Sequence, residues 1–84
     1  MKKSEIKIGG IYTNGKGRIR QVIDRTNDGK YRLYDGQTET DCVFYSIIND
    51  GTKANKSCGT TGVMTAISFA SWAKEALKDG STTD

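Results

Sequence analysis

With 84 residues, the chain has room for one small hydrophobic core and not for a second domain. Thirteen Lys and Arg stand against ten Asp and Glu, and the absence of His removes the usual general base, metal ligand and pH switch. Two Cys are too few for a zinc site and no apolar run approaches a membrane span, so no enzyme activity, metal, cofactor or membrane contact is expected.

The first seven residues are basic but lead into no apolar stretch, so no secretory signal is expected. The default address is the cytoplasm, with reduced thiols. Residues 10–13 read as a short strand stopped by Asn14-Gly15-Lys16-Gly17, a strong hairpin signal. The same stretch matches G-x-x-x-x-G-K, but Gly17 stands where a phosphate-binding loop needs Ser or Thr, and a strand follows instead of a helix.

Residues 18–24 form the next strand, with Ile19 and Ile23 on one face and Arg18, Arg20 and Val22 on the other. After a turn at 26–29, residues 30–34 read as its hairpin partner. Pairing Asp24 with Lys30 sets Ile23 opposite Tyr31 and Gln21 opposite Leu33, which gathers Arg18, Arg20, Lys30, Arg32 and Tyr34 on the other face. Residues 39–48 form the longest β run, apolar on both faces and therefore central. Within it Cys42 reads as a buried small hydrophobe. Glu39 and Asp41 share a face, as the solvated edge of a strand entering the core or, in the functional alternatives, as an acid–base pair or a metal-holding pair.

Residues 51–62 are aperiodic and glycine-rich, a mobile tip or a binding element, and hold Lys53, Lys56 and an exposed Cys58. Residues 66–78 carry an amphipathic period that gathers Ala66, Phe69, Ala70, Trp72, Ala73, Ala76 and Leu77 on one side. Thr65 or Ser68 caps this helix, Gly80 ends it, and 80–84 form a flexible tail. The expected product is a single mainly β, α+β domain over 1–79. It is a small bent antiparallel sheet or barrel of four to five strands, with one C-terminal amphipathic helix.

Charge is uneven along the chain. Residues 1–34 carry nine cations against three anions, and 35–84 four against seven. Arg18, Arg20, Lys30, Arg32 and Tyr34, extended by Lys16, Lys53 and Lys56, are the candidate binding residues. Guanidinium groups pair phosphates or carboxylates, and an aromatic among them can stack on a base. A protein partner, a nucleic acid and a merely solvated face all fit this pattern.

The run Gly10-Ile11-Tyr12…Gly17-Arg18-Ile19-Arg20-Gln21-Val22-Ile23 resembles the opening of small SH3-like β-barrel modules. The ending Ser68-Phe69-Ala70-Ser71-Trp72-Ala73 is similar to the terminal helix of short bacteriophage and prophage accessory proteins. With Cys42 and Tyr45 between them, these pieces cover most of the chain. The resemblance implies an SH3-like barrel with a C-terminal helix, in a non-catalytic phage-type protein that binds a host protein or protein–nucleic-acid complex in a bacterial cytoplasm. Some such proteins inhibit host defence enzymes, CRISPR effectors among them, which makes an anti-CRISPR type one implied role. The competing expectation is an SH3-like module that binds RNA or DNA through the basic strand face. The net positive charge speaks against inhibition by DNA mimicry.

Overall fold

The turn at 14–17 reverses the chain because Gly15 and Gly17 take φ of +78° and +90°, values that side-chain-bearing residues avoid. Asn14 supports it by accepting hydrogen bonds from the Lys16 and Arg18 amides at 2.9 and 3.3 Å. The computed structural model describes residues 1–78 and places β1 (Ile11–Thr13) and β2 (Arg18–Thr26) on either side of this turn. β3 (Cys42–Asp50) and β4 (Thr61–Thr65) follow, then α1 (Ala66–Trp72) and β5 (Glu75–Lys78). The strands form one antiparallel sheet in the order β4-β3-β2-β1-β5. β4 and β5 are its two edges and do not pair with each other, so the sheet is open and the barrel alternative is not realised.

One face of the sheet meets α1 and the N-terminal segment. Ile6, Tyr12, Val22, Val43, Ala66, Phe69, Ala70 and Ala73 form the buried cluster, with Met64, Tyr45, Trp72 and Ala76 packed around it. Phe69 sits at its centre, edge-on to Tyr12 at 5.7 Å and close to Tyr45 and Trp72 at 6.0 and 5.3 Å. Arg25 ties the N-terminal segment down: one amino group donates to the Lys3 and Ile6 carbonyls, while the rest of its fork grips Asp41 at 3.1 and 2.9 Å. The other face is covered by the 27–41 connection. Tyr31 stacks on Phe44 at 5.6 Å, and buried Gln37 reaches Cys42 Sγ at 3.5 Å.

The expected strand at 30–34, and with it the hairpin register, does not form. Both edges of β2 are already occupied, by β1 and by β3, so the segment crosses the face of the sheet instead. The Asp24–Lys30 proximity survives as a 3.5 Å ion pair, not as a strand pair. Ile23, expected against Tyr31, lies at an irregularity of the β2–β3 register and is exposed.

The helix is shorter than its period predicts. Thr65 caps its start by accepting from the Ser68 amide, but at Ala73 the backbone turns extended (φ −74°, ψ 125°). Lys74 N then donates to Thr13 O at 2.8 Å, and residues 75–78 run along the free edge of β1. Ala73 and Ala76 face the core under either geometry, so the apolar pattern alone did not separate helix from strand. Gly80 and the 80–84 tail lie outside the described residues. β4, hidden in the expected loop and its flank, pairs with β3 and fits Gly62 against Tyr45. A Cβ on Gly62 would lie 2.6 Å from the Tyr45 hydroxyl, so the ring occupies the space a side chain would need.

Candidate functional site

β2 begins beside the end of β3, because Arg18 pairs with Asp50 and Ile19 with Asn49. The 14–17 turn and the loop starting at Gly51 therefore meet: a Cβ on Gly51 would lie 2.9 Å from the Arg18 side chain and 3.6 Å from Lys16 O. This end of the sheet collects Lys16 and Arg18 from one segment and Lys53 and Lys56 from the other, all four exposed. A cleft of about 280 Å³ opens here, lined by Arg18, Arg20, Ile47, Asn49, Asp50, Thr52 and Ser57.

Arg20 faces the helix side of the sheet, opposite Tyr12 on one neighbour and Ile47 on the other. Its guanidinium carbon lies 4.6 Å from the Tyr45 ring centre and 4.3 Å from that of Trp72, and one amino group donates to Met64 Sδ at 3.5 Å. Such stacking stabilises a cation by roughly 0.5–2 kcal/mol, more as water is removed. Burial pushes its pKa down, the Tyr45 hydroxyl raises it and the like charge of Arg18 lowers it. No carboxylate among the described residues forms a salt bridge with Arg18 or Arg20.

Asp50 is the carboxylate nearest to hand, and its own loop engages it. Thr52 donates through both its amide (2.9 Å) and its hydroxyl (2.6 Å), and the Ser57 amide adds a third bond at 3.0 Å. These donors, the Thr52 hydroxyl foremost, lower its pKa to about 2. Asn55 closes the same loop, accepting from the Asp50 amide at 2.9 Å and donating to Ile48 O at 3.2 Å. The glycine-rich segment is thus a built loop that meets Arg18 through Gly51 and carries the exposed Lys53 and Lys56.

The remaining sequence-predicted residues lie elsewhere. Lys30, Arg32 and Tyr34 sit in the 27–41 connection, which leaves the far end of β2, roughly 26 Å from Arg18 by strand rise. Lys30 pairs with Asp24, whose carboxyl is held below its usual range chiefly by the Tyr31 hydroxyl (2.8 Å). Arg32 donates to Gln37 O at 2.7 Å and so serves the loop's own structure. Tyr34 is 65% exposed, but it has no arginine of the β2 start beside it. The single basic face expected from the hairpin register is therefore two separate regions, because the segment that would have joined them crosses the other face.

Sequence reasoning missed Tyr45, Trp72 and Met64 as the surroundings of Arg20, having placed Trp72 on the apolar side of the helix and Tyr45 within the central β run. Their joint placement depends on α1 crossing the sheet, which no local pattern reports. Of the expected carboxylate pair, Asp41 is engaged by Arg25 and Lys3, and Glu39 accepts from the Asp41 amide. Both cysteines carry free thiols, Cys42 buried and Cys58 exposed. Among the described residues, no helix is long and apolar enough to cross a membrane. Comparison with protein-family models, curated proteins and solved structures finds no match to this chain.

Proposed function

We propose that this chain is a small non-catalytic binding protein of the phage accessory type, which acts by docking its basic end on an acidic surface of a host protein. The observation that carries the reading is the gathering of Lys16, Arg18, Arg20, Lys53 and Lys56 at one end of the sheet. The carboxylate there, Asp50, is held by its own loop. A surface of unpaired cations is complementary to an anionic partner and speeds its encounter. The likeness of residues 68–73 to the ending of phage accessory proteins supplies the setting: inhibition of a nucleic-acid enzyme of a bacterial host, CRISPR effectors included, by occupying an acidic surface.

A pull-down from nuclease-treated bacterial lysate tests this. The wild-type chain is expected to retain a stoichiometric protein, and the Lys16→Glu/Arg18→Glu/Lys53→Glu variant to release it. No stoichiometric partner, or full retention by the variant, overturns the reading.

The same cations support RNA or DNA binding as a second reading. Against it, the exposed aromatic Tyr34 lies at the other end, and the Arg20 guanidinium lies over the Tyr45 and Trp72 rings that a base would need for stacking. Anisotropy of labelled oligonucleotides across salt concentrations decides: phosphate contacts give a log–log slope of roughly −0.9 per neutralised phosphate on duplex DNA.

A further inference from the structure

Arg20 differs from the other cations of its end. It is partly withdrawn from water, its neighbours are the rings of Tyr45 and Trp72 and the weakly accepting Met64 sulfur, and no carboxylate of the described residues pairs with it. A desolvated cation ordinarily finds an anion within its own fold. Arg20 does line a cleft of about 280 Å³, with Arg18 as a second cation in the lining. Asp50 lines the cleft too, yet its oxygens accept from Thr52 and Ser57.

Resting on the proposed contact with an acidic protein, we infer that this cleft is a socket for one carboxylate side chain of the partner. Arg20 is its specificity-determining residue, Arg18 its second contact, and Lys16, Lys53 and Lys56 form a steering rim. The chemistry follows from the guanidinium, whose planar fork matches two carboxylate oxygens with parallel hydrogen bonds. The two rings hold that plane in place before the partner arrives, which lowers the ordering cost of binding. Ile47 offers an apolar wall to the methylenes of a glutamate. The fixed negative charge of Asp50 favours a singly charged carboxylate over a phosphomonoester, which carries nearly two charges near neutral pH.

The test uses the intact chain labelled with ¹⁵N and a blocked pentapeptide of four glycines around one central glutamate, titrated at constant ionic strength. The glutamate peptide is expected to shift the Arg20 Nε–H and Trp72 indole N–H resonances with a saturable curve. Its glutamine counterpart should leave them in place. Arg20→Lys, which keeps the charge but not the fork, should weaken the peptide at least tenfold, and Arg18→Ala should weaken it by a smaller factor with the spectrum otherwise intact. Equal shifts from the glutamine peptide, no saturable shift, or undiminished binding by both variants would overturn the socket. Saturable shifts from inorganic phosphate but not from the glutamate peptide would also overturn it. Because the probe is a defined peptide, its failure leaves docking through the rim lysines standing. An empty pull-down with a positive titration instead removes the partner reading and keeps the socket.

Discussion

At one end of the sheet, Arg18 and Arg20 line a cleft and Lys16, Lys53 and Lys56 lie on the adjoining turn and loop, and no acid among the described residues forms a salt bridge with any of them. Towards the other end, Arg25 grips Asp41, Lys30 pairs with Asp24, and Arg32 holds the Gln37 carbonyl. The two groups are alike in residue type, and the β2 members of the first lead almost directly into the second. They differ in what lies across from them. Where the 27–41 connection folds back over the sheet, cations and acceptors of the connection and of β2 meet, and the cations become structural. Where the chain turns sharply at 14–17 and 51–57, the loop satisfies its own acceptors and the cations are left for an outside anion.

The sharpest way to break this contrast is to remove Arg25. Its side chain and that of Asp41 are only 21% and 16% exposed. Arg25→Ala should therefore lower the unfolding free energy by about 2–3 kcal/mol, the discounted cost of a charge-assisted network at a partly exposed site. Urea denaturation measures it, and a loss comparable to that from Lys53→Ala would erase the distinction between the two ends.

A smaller effect is expected from Gly62→Ala. The added methyl meets the Tyr45 ring, whose packing on Arg20 and Phe69 must then readjust, so the unfolding free energy should fall by about 1–2 kcal/mol. The Arg20 and Trp72 side-chain resonances should shift with it, while those of the 27–41 connection should not.

Acid should separate the two ends by mechanism. Arg25 holds the Asp41 pKa down, and loop donors hold that of Asp50 down to about 2. A depressed folded-state pKa contributes stability that is complete above the unfolded value of about 4 and is lost as pH falls through the folded value. The urea midpoint should therefore drop as pH is lowered from about 4 towards 2, and Asp41→Asn or Asp50→Asn should each flatten that slope. Molar salt should weaken the Asp41 part, which rests on a cation, more than the Asp50 part, which rests on neutral donors. Equal salt sensitivity would contradict the assigned partners.

The smallest stability changes are expected from Lys16→Ala and Lys53→Ala, within about 0.5 kcal/mol of wild type. Their effect should appear in association with an anionic partner, as a slower on-rate and a shallower salt dependence. A larger stability loss at either position would mean that these lysines serve the fold.

Much of this structure was legible locally. The alternation in 18–24 and the two-sided apolar run at 39–48 specify strands because side chains alternate faces with period two, and Asn14, Gly15 and Gly17 specify the turn through backbone conformation alone. Thr65 before an apolar period announces a helix start for the same local reason. The candidate site was legible only in part. Arg18, Arg20, Lys53 and Lys56 were recognisable as cations, but nothing near them in the chain indicates Tyr45 and Trp72 as the neighbours of Arg20.

By itself, then, the sequence determined one mainly β domain, its three leading strands, the start of its helix and a supply of cations. Tertiary structure decided the rest, because hydrogen-bonding edges are settled by competition across the whole sheet. β1 and β3 took both sides of β2, which turned residues 30–34 from a strand into part of a connection that covers Phe44 through Tyr31 and Cys42 through Gln37. The free edge of β1 drew residues 75–78 out of a helix whose apolar pattern suited either geometry. Those two outcomes also decided which arginines and lysines met an acceptor at home and which did not.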